Sequence, residues 1–261
     1  MYHSILFHYT KTIARMTINS YNTMQVITMK KLIIAILSLT ILCFGIYVQD
    51  YYKAIDIDLE TSNQISIQQV DNYTYFSTPQ ATTGIIFYPG GKVETMAYVP
   101  LFMELAKQNI LCILVDMPFH LAVLDMNAAN GIQEQFPNIN SWYISGHSLG
   151  GSIASSYIEK HATDYEGLIL LASYSTSDLS KTNLKVISIY GSNDEVLNID
   201  NYIKNYENLP TNTIEHIIQG GNHAQFGNYG TQKGDGIATI TTEEQQLQAV
   251  NHILDFIINN P

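Results

Sequence analysis

Residues 141–151 read SWYISGHSLGG. Ser141 to Ser145 (SWYIS) is rich in aromatic and β-branched residues and predicts a short strand. Leu149 to Lys160 carries small residues at Ser152, Ala154, Ser155 and Ser156 and predicts a helix. Between them lies Gly146-His147-Ser148-Leu149-Gly150, a G-x-S-x-G spacing in the strand-to-helix setting that such a turn needs. A serine on so sharp a turn is lifted above the sheet, and the residues two before and two after it must be small to avoid collision. The same turn aims the N–H of Leu149 and the helix N-terminus at the place where an oxyanion would form. The bland alternative is a glycine-rich turn with no chemistry. The strand before and the helix after favour Ser148 as a nucleophile.

The rest of the body extends this pattern. Ile65 to Val70 and Tyr73 to Ser77 predict two strands around the turn Asp71-Asn72. Gly84 to Tyr88 (GIIFY) is a short apolar strand ending in Pro89-Gly90-Gly91. Glu94 to Gln108 has apolar residues at helical spacing. Ile110 to Met117 (ILCILVDM) is a continuous apolar strand, as in a parallel sheet covered on both faces. A helix is predicted from about Leu121 to Gln135. Strands follow at Gly167–Ala172 and Leu184–Tyr190, then helix at Tyr202–Asn208 and a last strand at Thr213–Ile218. Thr241-Thr242-Glu243-Glu244 has capping-box spacing and opens a final helix to about Ile258. Two strands followed by strand–helix units predict an α/β fold: a mostly parallel twisted sheet, helices on both faces and an antiparallel N-terminal edge. The short interval between Ala172 and Leu184 leaves no room there for a lid domain.

A serine hydroxyl needs a base, and the base needs an orienting group. Asp194, in Tyr190-Gly191-Ser192-Asn193-Asp194, follows an apolar strand at the sheet edge where ligands bind in open α/β folds. Its bland reading is a turn-capping Asp, and Glu195 and Asp178 are its rivals. His223, in Gly220-Gly221-Asn222-His223, follows the last strand on a loop able to carry an imidazole over the sheet edge. His161, His216 and His252 fall after or inside other elements. His147 sits in the turn but points away from its neighbour's hydroxyl, and His120 follows a strand end; both are candidate substrate-pocket residues. A second oxyanion N–H would come from Gly91 or Lys92, in Pro89-Gly90-Gly91-Lys92. That segment is no phosphate-binding P-loop, because Val93 stands where Ser or Thr is required. Asp116 and His120 lack a third partner for a metal, and no metal or cofactor is expected.

With 261 residues, 46% of them apolar, the chain has length for one sizeable core. The first 48 residues carry +4 (Lys11, Arg15, Lys30, Lys31) with no acid before Asp50, and the remainder carries −15. An acidic body repels phosphate backbones and argues against a nucleic-acid partner. Arg15 is the only arginine, so the body has no guanidinium for a bidentate clamp on an anionic substrate. This tilts the expected substrate toward neutral groups, although backbone N–H groups or a Lys could still bind an anion. Cys43 and Cys112 read as two reduced thiols. Oligomeric state is not legible.

Leu32 to Val48 (LIIAILSLTILCFGIYV) is 17 apolar or small residues, the lower limit for a membrane helix. Lys30 and Lys31 precede it and acids follow it, which places the N-terminus inside and the body outside. The alternatives are a cleaved signal starting at Met29, with residues 1–28 a misread start, and a buried core helix. No A-x-A-like cleavage site follows the run, and Leu42 before Cys43 is too large for a usual lipoprotein site. The expected organisation is therefore an extension over 1–28, an anchor or signal over 29–48, a polar linker over 49–63 and one domain over 64–261. The domain is expected outside the cytoplasm, membrane-held or secreted.

From about Ile65 to Ile258 the chain resembles the α/β-hydrolase superfamily. GHSLGG, YGSND and GGNH fall in that superfamily's order at its strand ends. YPGGKVE, DMPFHLAVL and GGNHAQFGNYG are similar to a lidless subgroup related to dienelactone-hydrolase-like carboxylesterases, in which dienelactone hydrolases proper use Cys where this chain has Ser148. The resemblance implies Ser148, Asp194 and His223 as a triad and acyl-enzyme chemistry on a carboxylic ester. Acyl transfer, peptidase action and a non-catalytic binding module on the same scaffold are the alternatives.

Overall fold

Alternation of side chains across the strands builds the molecule's two apolar layers. In β3 (Thr83–Tyr88), Ile85 and Phe87 face one layer while Ile86 and Tyr88 face the other, and all four are fully buried. The same split places Tyr143 and Ile144 of β5 (Ser141–His147) on opposite faces. The computed structural model describes residues 2–57 and 65–259. The expected linker's residues 58–63 lie outside the described residues. The chain divides into two units, Met1–Asp50 and Tyr51–Pro261.

The first unit is one helix, α1 (Tyr2–Gln49). Within it Met24–Gln49, 26 residues of mean hydropathy 2.3, is long and apolar enough to cross a membrane by length and composition, as is a signal segment.

The second unit is an eight-stranded sheet in the order β1-β2-β4-β3-β5-β6-β7-β8. β1 (Ser66–Val70) and β2 (Tyr73–Ser77) form an antiparallel hairpin, and β2 pairs antiparallel with β4 (Ile110–Val115). β3, β5, β6 (Gly167–Leu171), β7 (Lys185–Gly191) and β8 (Ile214–Ile218) complete a parallel run with β4. Their C-terminal ends therefore share one edge, where the loops carrying Gly90, Ser148, Asp194 and His223 converge. α2 (Val99–Lys107) and α5 (Thr242–Asn259) cover one face, and α3 (Leu149–Ile158) packs on the other. α4 (Ile199–Asn205) follows β7, slightly ahead of the predicted helix. Thr241 and Glu244 form the expected reciprocal cap of α5: Glu244 N–H donates to Thr241 Oγ1 at 3.1 Å, and Thr241 N–H to Glu244 Oε2 at 2.8 Å. No helix lies between β6 and β7, and no large lid covers the sheet edge among the described residues.

One predicted element is absent. Leu121 to Gln135 is not a helix but a chain of short 3₁₀ turns at Ala122–Leu124 and Gln133–Gln135, preceded by another at Pro118–His120. Phe119 and His120 have φ of 53° and 56°, which breaks helical geometry at the entrance. Asn127, Asn130 and Gly131 weaken propagation. Tyr88 pins the segment instead: its hydroxyl donates to Met126 O at 3.0 Å and accepts from Ala129 N–H at 2.9 Å.

Candidate active site

Ser148 has φ 51° and ψ −123°, a conformation that costs a non-glycine residue on the order of 1–3 kcal/mol. The surrounding backbone enforces it. A Cβ on Gly146 would stand 2.5 Å from the Gly150 carbonyl carbon, and one on Gly150 would stand 2.2 Å from Tyr88 O. The turn can thus close only with glycine at both positions. Ser148 N–H donates to Leu171 O at 2.9 Å, and Ser173 Oγ donates to Ser148 O at 2.7 Å, so the turn is tied to the end of β6.

Asp194 and His223 meet across the loops after β7 and β8. His223 Nδ1 lies 2.8 Å from Asp194 Oδ2, with both side chains 1% exposed. Asp194 Oδ1 accepts the N–H groups of Val196 at 2.9 Å and Leu197 at 2.7 Å. The carboxylate is thereby oriented before it touches the imidazole. His223 Nε2 is buried and has no hydrogen-bond partner. His223 and Ser148 line one cavity of about 190 Å³, with Leu149, Tyr174, Val196 and Leu197 among its other walls. No hydrogen bond joins Ser148 Oγ to His223. The rival carboxylates are elsewhere engaged or exposed: Asp178 accepts from Ser180, and Glu195 is on the surface.

The two oxyanion candidates separate. Lys92 N–H donates to His120 O at 2.7 Å, so that donor is already committed, and Lys92 is corrected as a candidate. Gly91 sits against Leu149, whose Cδ2 would lie 3.0 Å from a Cβ on Gly91. Gly91 and Leu149 remain the oxyanion candidates.

Both pocket histidines are also corrected. Neither His120 nor His147 lines the cavity of Ser148. His120 packs against Tyr51 in a tilted arrangement with ring centroids 4.1 Å apart, and its backbone carbonyl holds the Lys92 turn. His147 is 1% exposed and lies beneath the site: Nδ1 is 2.8 Å from Tyr98 Oη and Nε2 is 3.1 Å from His223 O. The alternation of β5 sends His147 into the core layer opposite to its neighbour's hydroxyl.

Burial, and then the nearby His223 ring, hold the His147 imidazole neutral, well below its ordinary value near 6.5. In the unfolded chain that ring gains a proton below about pH 6.5, and in the folded chain only at lower pH. Its contribution to stability is thus complete above that pH and is lost as the pH falls. One group of this kind contributes a slope of at most about 1.4 kcal/mol per pH unit. Urea midpoints at pH 7.5 and 5.5 should separate in the parent, and the gap should shrink by the corresponding amount in His147→Gln. An unchanged gap would show that His147 titrates normally.

Three residues outside the sequence prediction complete the setting. Asp235 accepts four backbone N–H groups, from His223 at 3.2 Å, Ala224 at 2.9 Å, Gly236 at 2.9 Å and Glu195 at 3.4 Å. It clamps the loop of His223 to the loop of Asp194. The Gln245 amide pairs with Asn222 backbone in both directions, at 2.9 and 2.8 Å, fixing the residue before His223. Tyr98 Oη accepts from Gly90 N–H at 3.0 Å. Among the described residues no group of three or more His, Cys, Asp or Glu forms a metal-holding cluster.

No curated protein matches the sequence. Among solved structures, a CIB-like hydrolase from Thermoplasma acidophilum superposes with TM-score 0.52 at 17% identity, covering 75% of this chain and 98% of its own. Est1E from Butyrivibrio proteoclasticus gives TM-score 0.56 at 13% identity, covering 75% and 100%. At such identities both report the fold alone. The family model described as "Alpha/beta hydrolase family" matches residues 84–247, the span from β3 through the candidate serine, acid and base into α5. The chain belongs to the alpha/beta hydrolase family.

Proposed function

We propose that this chain is a serine hydrolase acting on small neutral carboxylic esters through an acyl-enzyme. The observation that carries the reading is the state of His223: Nδ1 is held by a buried carboxylate, while Nε2 is without a partner in a residue that shares its cavity with Ser148. In the proposed reaction His223 Nε2 takes the proton of Ser148 Oγ as the oxygen attacks the ester carbonyl. Asp194 steadies the resulting imidazolium. The carbonyl oxygen, now negative, is received by the N–H groups of Leu149 and Gly91. Collapse expels the alcohol, which takes the proton from His223. Water then repeats the sequence and frees the acid.

The cavity favours a short acyl group. Its roughly 190 Å³ is below the ~300–1,000 Å³ of pockets for drug-sized ligands. Its lining carries no Lys, Arg, Asp or Glu, which matches a neutral substrate.

We place the hydrolase unit outside the cytoplasm, held by the apolar part of α1. The support is the helix's length and the charge step from Lys30-Lys31 to the acidic body.

A fluorophosphonate probe tests the chemistry. It should phosphonylate the full chain at a single site, found by mass spectrometry on the peptide bearing Ser148, and p-nitrophenyl acetate should compete. No labelling, or labelling on another residue, would refute the proposal.

A further inference from the structure

Gly90 follows β3 and His223 follows β8, strands that stand four places apart in the sheet. The two loops are nonetheless joined by one buried run of hydrogen bonds. Gly90 N–H reaches Tyr98 Oη at 3.0 Å, Tyr98 Oη reaches His147 Nδ1 at 2.8 Å, and His147 Nε2 reaches His223 O at 3.1 Å. Tyr98 is fully buried and His147 is 1% exposed, so water offers no alternative partners.

The ends of the run fix its direction. A carbonyl oxygen only accepts, so His147 Nε2 carries the proton and donates to His223 O. A neutral imidazole has one N–H, so Nδ1 is bare and accepts the Tyr98 hydroxyl. The lone pair of that hydroxyl receives Gly90 N–H. Burial favours this state at both residues, holding His147 neutral and the Tyr98 phenol protonated. Every donor in the run has an acceptor and no member carries charge. The absence of charge matters because the His147 and His223 rings lie only 4.6 Å apart. A cationic His147 would oppose proton uptake by His223.

We infer that Tyr98 and His147 are positioning residues that lock the oxyanion loop at Gly90–Gly91 and the base at His223 into one rigid frame. This rests on the serine-hydrolase reading above. Gly90 has no slack in the arrangement: a Cβ there would lie 2.7 Å from His147 Nδ1 and 2.8 Å from Tyr98 Oη. The reaction needs the nucleophile, base and oxyanion donors in register at once, and a displacement of about 1 Å can cost on the order of 100-fold in rate. Leu149 N–H and Gly91 N–H come from different elements, so their spacing depends on what holds the β3 loop.

The test is the rate of fluorophosphonate labelling of the full chain, resolved into the maximal inactivation rate and the probe concentration for half-maximal rate. Tyr98→Phe removes one oxygen and keeps the ring, and it should lower the maximal rate about tenfold with the half-saturating concentration unchanged. His147→Leu should lower it more, towards about 100-fold. His147→Gln should stay within about threefold of the parent, because an amide presents an acceptor and a donor at a similar separation. The Tyr98→Phe/His147→Leu double variant should be no slower than His147→Leu alone, as expected of parts that act as a unit. A role limited to stability would show as lowered melting temperatures without this pattern of rescue and non-additivity. Should His147→Leu not fold, Tyr98→Phe and His147→Gln carry the test. A parent that labels, with Tyr98→Phe and His147→Leu labelling at its rate, overturns the positioning role alone. Multiplicative losses in the double variant do the same. A parent that does not label overturns the hydrolase reading and this inference with it.

Discussion

Asp194→Asn should lower kcat/KM for a short p-nitrophenyl ester by about 10⁴-fold while leaving the chain folded. The argument turns on which end of the new amide faces which partner. Asp194 Oδ1 accepts two backbone N–H groups, from Val196 and Leu197. An asparagine can keep those bonds only by placing its carbonyl oxygen there, since an NH₂ would face two donors. The NH₂ then falls where Oδ2 stood, 2.8 Å from His223 Nδ1. His223 Nδ1 must now accept, and the ring proton moves to Nε2. That is the nitrogen which must be empty to take the proton of Ser148. The variant therefore keeps its shape and holds the wrong tautomer. A loss of 10⁴ corresponds to about 5.4 kcal/mol of transition-state stabilisation, far beyond the ~1 kcal/mol of one neutral hydrogen bond. Steady-state kinetics beside a thermal melt decides the matter. An Asp194→Asn protein within tenfold of the parent would remove Asp194 from the proposed role.

The candidate site is legible in sequence where chemistry is bound to local geometry. The G-x-S-x-G turn is written in five consecutive residues, and its glycines are dictated by backbone contacts that any such turn must make. Asp194 and His223 stand out as candidates because each follows an apolar strand, and parallel strands deliver their ends to one edge. The polar residues that hold these groups left no such trace. Asp235 lies 12 positions beyond His223, in a loop with no periodicity, and its four N–H partners come together only after folding. Tyr98 reads as one more apolar residue of a helical stretch. His147 and Lys92 were misassigned for related reasons. His147 lies in the turn that carries Ser148, yet strand alternation buries it below the cavity. The Lys92 N–H is taken by the carbonyl of His120, 28 residues away, a contact that a glycine-rich loop does not announce. The helix predicted over Leu121–Gln135 failed because left-handed residues at Phe119 and His120 and the Tyr88 hydroxyl fix a different path.

Gly150→Ala should cost the hydrolase unit at least about 3 kcal/mol and abolish most of its activity, although alanine is the better helix former. Propensity favours the substitution by about 1 kcal/mol, because Gly150 lies in the first turn of α3. Sterics oppose it more strongly. The new methyl would stand 2.2 Å from Tyr88 O, 2.3 Å from Pro89 O and 2.7 Å from Tyr88 C. All three are backbone atoms, so no rotamer change relieves the overlap. Tyr88 is also the last residue of β3, paired with Gly146 across the parallel ladder to β5. Either α3 lifts from the sheet or the end of β3 moves. Both routes separate Leu149 N–H from Gly91 N–H, the two donors proposed for the oxyanion. A destabilisation of 3 kcal/mol in a unit of this size lowers the melting temperature by about 6–12 °C. The accompanying loss in kcat/KM should reach on the order of 100-fold even at temperatures where the variant is folded, because losing one oxyanion donor alone costs about that much. Calorimetry and ester kinetics on the same preparation separate the two effects. A variant that melts within 2 °C of the parent and keeps its activity would mean that α3 and β3 do not approach as closely as the G-x-S-x-G turn requires.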